Sequence, residues 1–206
     1  MNKNTHRHVL FVAQAGVIAA LYVVLTWLSA LVGLSGQNAI QIRISEALCV
    51  LPYFTLSAVP GLTVGCLLAN LLTGAAPLDV LFGTLATLLG AVAAALLRRW
   101  RFVAPWPNVV SNTLIVPFVV FYVYYGGNTA EVTIPYLFLT VFIGEFIAGG
   151  VLGTLLLLAL YRRRDKIFPD TYYRKPRKAA APADDVPAEI DEPDMPPADG
   201  KTDEYD

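Results

Sequence analysis

The 206-residue chain lacks the motifs of several common enzyme classes. It has no G-x-x-x-x-G-K-[ST] phosphate loop, so hydrolysis of a nucleotide by this chain in the usual way is excluded, and it has no H-E-x-x-H zinc motif. Its apolar stretches carry no pair of aspartates spaced for intramembrane proteolysis, and its halves show no convincing internal repeat. These absences weaken an enzymatic interpretation, and they imply that any energy the chain uses comes from elsewhere.

Residues that form disulfides or bind metals are also scarce. The two cysteines, Cys49 and Cys66, lie in apolar stretches without a C-x-x-C motif or a histidine nearby, which favours small buried side chains. His6 and His8 precede the first apolar stretch without cysteine or carboxylate neighbours, so a basic topogenic segment is a better interpretation than a metal pair. We therefore predict no metal site, cofactor or nucleic-acid partner.

Apolar side chains are what the chain has in excess. Hydrophobic residues make up 56% of the sequence, more than one soluble domain of this length can bury. The run Val9–Leu31 is long enough to cross a hydrocarbon core of ~30 Å, and it is too long for the core of a signal peptide. We therefore expect a multi-pass protein of the cell membrane.

Basic residues form three clusters that alternate with the apolar stretches: Lys3 and Arg7, residues 98–101, and residues 162–166. Lys and Arg are retained on the cytoplasmic side of a membrane, so both termini are predicted to be cytoplasmic, and only Arg43 among the intervening basic residues is predicted outside. The predicted fold is all-α with six transmembrane helices at Val9–Leu31, Ser45–Ser57, Gly61–Thr73, Asp79–Leu97, Asn108–Tyr125 and Pro135–Tyr161.

The second and third of these helices are short, and Pro60 is expected to separate them. Two short helices are preferred, and a re-entrant hairpin is the alternative. The predicted domains are a cytoplasmic N-terminus (1–8), the six-helix membrane domain (9–167) and a cytoplasmic tail (168–206). The tail is rich in Ala and Pro and holds eleven of the 16 acidic residues, which predicts disorder.

Five polar or charged residues in the outer half of the membrane domain are candidates for ligand binding: Arg43, Glu46, Asn70, Asp79 and Glu145. A charge inside a bilayer costs roughly 2.5–3.5 kcal/mol, so such residues usually face a cavity or a partner. Their acceptors and donors suit a planar, nitrogen-rich ligand.

Structural roles remain open for several residues. Arg43 and Glu46 are spaced to form an ion pair, and Asp79 stands where a helix cap would lie. Asn112 is expected to support helix packing through a hydrogen bond. Aromatic side chains are available for stacking on a ligand, although an interfacial belt would also explain them: Trp27, Tyr53, Tyr124 and Tyr125.

Small residues one helical turn apart, Ala15 and Ala19, mark a face of the first helix that another helix can approach closely. Packing within the chain and docking of a partner protein explain this face equally well.

Three ordered motifs resemble the QueT family, substrate-binding S-components of energy-coupling factor transporters for queuosine precursors. They are R-I-S-E at residues 43–46, G-C-x-x-A-N at 65–70 and P-L-D-x-x-F-G-T at 77–84, and the resemblance extends over about residues 9–162. It implies a non-enzymatic six-helix protein that captures a deazaguanine outside and associates with a transmembrane coupling subunit and two cytoplasmic ATPases.

The resemblance further implies that Ala15 and Ala19 form the docking face for the coupling subunit. From residue chemistry we predict that Glu46, Asp79 and Glu145 receive the guanine-like edge and a cationic amine of such a ligand. Asn70 would hold the carbonyl edge, and Arg43 would either do so instead or order Glu46. The alternative within the same scaffold is an S-component for a different vitamin. The alternatives from other functional classes are an intramembrane enzyme and a scaffold protein.

Overall fold

The computed structural model describes residues 3–34 and 41–168, and within these ranges the chain is helical without strands. Four helices are long and apolar enough to cross a membrane: Thr5–Leu31, Pro77–Leu96, Trp106–Tyr124 and Ile134–Tyr161. Many of their large apolar side chains are exposed, as expected for surfaces that face lipid. Most of the predicted tail, from residue 169 onward, and residues 35–40 of the first loop lie outside the described residues.

The helices follow one another in simple order. They are α1 (Lys3–Leu31), a 3₁₀ helix (Ile44–Tyr53), α2 (Ala58–Leu72), α3 (Pro77–Leu96), α4 (Trp106–Tyr124), α5 (Ile134–Glu145), a π segment (Phe146–Leu152), α6 (Gly153–Tyr161) and the short α7 (Arg164–Ile167). The four long apolar runs are therefore helices close to their predicted positions, although α1 begins before the predicted Val9.

The 3₁₀ helix occupies the centre of the bundle. It contacts α1, α2, α3, α6 and the π segment, and residues 45–53 are all buried. At a rise of ~2.0 Å per residue its ten residues extend about 20 Å. Phe54, which follows it, stacks on Phe168 beyond α7 with ring centroids 5.4 Å apart. The element that carries Glu46 is thus surrounded by protein rather than lipid.

Two short helices are present where they were predicted, but Pro60 does not separate them. The break lies at residues 54–57, and Pro60 stands in the first turn of α2. The first N–H groups of a helix have no intrahelical partner, so a proline there removes no hydrogen bond. Pro60 was expected to interrupt the helical run, but it lies in the first turn of α2, where proline is tolerated.

α1 holds the 3₁₀ helix with a row of polar side chains at helical spacing. The Tyr22 hydroxyl donates to Glu46 Oε1 at 2.5 Å, and Thr26 Oγ1 lies 2.8 Å from Ser45 Oγ. One turn further, Ser29 Oγ accepts from the backbone N–H of Ile44 at 2.9 Å. Three successive turns of α1 therefore fix the beginning of the 3₁₀ helix.

The other contact face of α1 lies against α2. A Cβ added to Gly61 would lie 2.7 Å from the carbonyl oxygen of Ala15, and one added to Gly65 would lie 3.0 Å from Ala19 Cα. Ala15 and Ala19 thus take part in close packing within the chain. Next to them, Gly16 is exposed and a Cβ there would meet nothing within 4 Å.

Candidate ligand-binding site

Two adjacent cavities lie between the 3₁₀ helix, α3, α4 and α5. The outer cavity has a volume of about 530 Å³ and the inner one about 40 Å³. Both are lined by Gln41, Arg43, Asp79, Val116 and Val141, which places the inner cavity directly behind the outer one. The inner volume admits the edge of a heterocycle, whereas the outer volume accommodates a whole small molecule.

Three tyrosines line the outer cavity: Tyr124 and Tyr125 at the end of α4, and Tyr136 at the beginning of α5. The connection between these helices turns at Gly126 and Gly127, whose φ angles of 55° and 74° are readily adopted only by glycine. The turn brings the ends of both helices to the same side of the cavity. Their rings offer stacking surface for a planar ligand.

Arg43 precedes the 3₁₀ helix and lines both cavities. Its Nη1 donates to Asn70 Oδ1 at 3.2 Å, and among the described residues it forms no ion pair with Glu46. Burial by itself lowers the pKa of Arg43, but Tyr22, Asp79 and other neighbours raise that pKa above its ordinary value overall. Arg43 therefore stays charged and supplies a fixed cation.

Glu46 lies at the inner cavity with both carboxylate oxygens engaged. Oε1 accepts from the Tyr22 hydroxyl, and Oε2 accepts from Asn108 Nδ2 at 2.7 Å and from Cys49 Sγ at 3.3 Å. The side chain is only 2% exposed. Donors from α1, α4 and the 3₁₀ helix itself therefore satisfy this carboxylate inside the protein.

Glu145, the last residue of α5, is the second acid at the inner cavity. Its Oε1 accepts from Asn112 Nδ2 at 3.0 Å, while Oε2 is buried without a hydrogen-bond partner. The π segment begins at the next residue, and π turns inside α-helices are frequently found at functional sites. Glu145 thus has an acceptor that the protein leaves unused.

Asp79 lies in the first turn of α3 and lines both cavities. Its Oδ2 accepts from the Tyr124 hydroxyl at 3.0 Å. As the acid in the first turn of α3, Asp79 also complements the helix dipole, and its carboxylate stands at the junction of the two cavities.

A close approach between α5 and the segment before the 3₁₀ helix shapes the inner cavity. A Cβ on Gly144 would overlap the carbonyl group of Gln41, so any larger residue would displace that segment. Gln41 and Arg43 depend on this contact for their position against the cavities.

Four of the five predicted residues line the inner cavity together: Arg43, Glu46, Asp79 and Glu145. Asn70 is the fifth, and it lies behind Arg43, accepting from it and donating to Cys66 Sγ at 3.5 Å. Of the aromatic candidates, Tyr124 and Tyr125 line the outer cavity, whereas Trp27 is 56% exposed and Tyr53 is buried in the apolar core.

Several residues of the site were not recognised in the sequence. Gln41 and Tyr136 line the cavities, and Asn112, for which helix packing was expected, lines the inner one and donates to Glu145. Asn108 and Asn112 are four residues apart, one turn along α4, and each donates to a different membrane carboxylate. That spacing of two amides on one apolar helix is the signal that would have identified both.

A sequence model of a family described as QueT transporter matches residues 12–162. No curated protein and no solved structure matches the chain.

Proposed function

The chain belongs to the QueT transporter family, and we propose that it captures a queuosine precursor outside the cell for an energy-coupling factor importer. The match runs from residue 12, within α1, to the end of α6 and covers every residue that lines the two cavities, and it confirms the resemblance carried by the three polar motifs. A membrane-embedded transporter component is the function shared by that family.

The observation that carries the ligand proposal is Glu145, a residue that lines the inner cavity and whose buried Oε2 has no hydrogen-bond partner. Buried polar atoms are nearly always hydrogen-bonded, and leaving one unsatisfied costs about 1–3 kcal/mol. A ligand that donates a hydrogen bond here recovers this cost. A deazaguanine has N–H donors along one ring edge, so it fits this requirement.

The outer cavity supports the same ligand class. Tyr124, Tyr125 and Tyr136 provide aromatic surface for a bicyclic base, and Asp79 provides a carboxylate for the cationic amine of an aminomethyl precursor. An anionic vitamin such as folate would meet the carboxylates of Asp79 and Glu145 instead, so the charges favour a neutral or cationic heterocycle.

The proposed topology has six crossings, of which the 3₁₀ helix and α2 are two, and both termini are cytoplasmic. The transmembrane coupling subunit, driven by two cytoplasmic ATPases, docks on α1 beside α2. Ala15 and Ala19 lie at that boundary, and the neighbouring Gly16 leaves room for a helix to approach. The chain itself acts as a binding component and not as an enzyme.

The experiment is a binding panel on the purified chain: queuine and the aminomethyl and cyano deazaguanine precursors, with riboflavin, thiamine, biotin and folate for comparison. We expect a deazaguanine to bind with a Kd of about 1 µM or lower. Glu145→Ala should abolish binding while the protein stays folded, and Glu131→Ala, in the exposed loop before α5, is the matched control. Binding of a different vitamin alone would contradict the ligand, and no binding to the panel would contradict the proposed function.

A further inference from the structure

We propose that Glu145 selects the ligand by accepting hydrogen bonds from two neighbouring N–H groups on its ring edge, and that Glu46 holds the site together without contacting the ligand. This inference rests on the proposed function. It assigns different roles to two acids that line the same small cavity.

The hydrogen bonds of Glu46 leave it little capacity for a ligand. Three donors from three helices already reach its carboxylate, at 2.5, 2.7 and 3.3 Å. Two of them, Tyr22 and Asn108, are themselves fully buried, so neither can be replaced by water. A ligand that donated to Glu46 would first have to break one of these hydrogen bonds, so the number of hydrogen bonds to Glu46 would not increase. Glu46 is therefore a positioning residue that ties α1 and α4 to the 3₁₀ helix.

The carboxyl group of Glu145, in contrast to that of Glu46, has an oxygen that no donor reaches. Asn112 donates to Oε1 and thereby fixes the orientation of the carboxyl group, while Oε2 has no partner. A carboxylate offers about four acceptor positions, so Oε1 retains capacity beside the Asn112 bond. Both oxygens can therefore accept from two adjacent, coplanar N–H donors, the bidentate arrangement that carboxylates form with guanidinium groups.

Asp79 fixes the direction in which such a ligand lies. It lines both cavities, whereas Glu145 lines only the inner one. The inner cavity of about 40 Å³ takes only a ring edge, so the rest of the base and its substituent extend past Asp79 into the outer cavity. The ligand class that satisfies both acids carries a ring N–H next to an exocyclic amino group, and a substituent with a donor or a positive charge on the opposite side.

The exocyclic amino group is consequently the feature that Glu145 recognises. The test compares two probes on the purified full chain: 7-aminomethyl-7-deazaguanine and the same base without its exocyclic 2-amino group. We expect the wild type to prefer the first by about 10–100-fold, which equals about 1.4–2.8 kcal/mol at 1.4 kcal/mol per tenfold, the size of the penalty for leaving one buried acceptor unsatisfied.

Two conservative substitutions separate the acids. In Glu145→Gln the side-chain NH₂ group faces either Asn112 or the ligand, so a donor replaces one acceptor. We expect the ratio of the affinities for the two probes to fall to about threefold or less. Glu46→Gln should weaken binding of both probes together, through loss of stability, and leave their ratio unchanged. Asn112→Ala releases the carboxyl group of Glu145 and should reduce the preference without abolishing it, which provides a second variant should Glu145→Gln fail to fold.

The outcomes distinguish this inference from the proposed function. If Glu145→Gln and Asn112→Ala retain the full preference, or if Glu46→Gln alone removes it, the assignment of the two acids is wrong and the function stands. If the wild type binds both probes equally, Glu145 does not recognise the exocyclic amino group, and the inference is wrong while the proposed function stands. If the folded wild type binds neither base, the proposed function fails and the inference fails with it.

Discussion

Replacement of Asn108 by alanine should destabilise the protein more than the same replacement of Asn112. Asn108 is fully buried and donates to Glu46 at 2.7 Å, and Glu46 is itself 2% exposed. A hydrogen bond to a charged group contributes about 1.5–3 kcal/mol. Water cannot replace this donor, so we expect a loss of about 2 kcal/mol. At about 2–4 °C per kcal/mol for a domain of this size, Tm falls by about 4–8 °C.

The matched variant is Asn112→Ala, one helical turn away. It removes the same amide from a carboxylate at a similar distance, 3.0 Å. Glu145, however, is only partly buried, whereas Glu46 is 2% exposed, so the loss of the Asn112 donor should cost less than the loss of a donor to Glu46. We expect the fall in Tm to be less than half of that for Asn108→Ala.

The measurement is thermal unfolding of both variants in the same detergent, followed by tryptophan fluorescence, with monodispersity checked by size-exclusion chromatography. An unchanged Tm for Asn108→Ala would show that Glu46 does not depend on this donor. A larger fall for Asn112→Ala would show that Glu145, rather than Glu46, is the structural acid, which contradicts the roles assigned here.

Two further substitutions test the shape and the charge of the site. Gly144→Ala should lower ligand affinity at least tenfold, since its Cβ displaces the segment around Gln41. Gly16→Ala has open space at its Cβ and should bind the ligand normally. Equal binding by both variants would contradict the close approach between Gly144 and Gln41. Asp79→Asn keeps the side-chain shape but removes the charge, so binding of the aminomethyl base should fall by about tenfold while the cyano base is little affected. Competition binding measures both ratios, and an equal loss for the two bases would rule out a charge contact at Asp79.

The long helices could be predicted from the sequence because each is an unbroken apolar run between polar ends. The 3₁₀ helix could not be predicted in the same way. Residues 45–53 read as a short apolar helix, but their geometry is set by five neighbouring elements that pack around them. The π segment after Glu145 could not be predicted either, since its run of small residues, Ala148 to Gly150, indicates close packing in an apolar helix but does not specify a π geometry.

The candidate acids could be predicted because a charge in an apolar stretch is unfavourable in free energy, so charged residues there usually face a cavity or a partner. Their different roles could not. The sequence shows a basic residue near Glu46 and none near Glu145, but their roles follow from the number of donors that reach them, contributed by Tyr22, Asn108 and Asn112 from up to 62 residues away. The same limit applies to Asn70, which supports Arg43 and does not line either cavity.

The three hydrogen bonds from α1 to the 3₁₀ helix have a mechanical consequence. A displacement of the 3₁₀ helix would pull on Tyr22, Thr26 and Ser29, which lie on successive turns and would therefore move α1 as one rigid rod. The opposite side of α1 is exposed along most of its length, including Val17 and Val24. The beginning of the 3₁₀ helix and the exposed side of α1 are therefore parts of one rigid unit, so a shift of either would move the other.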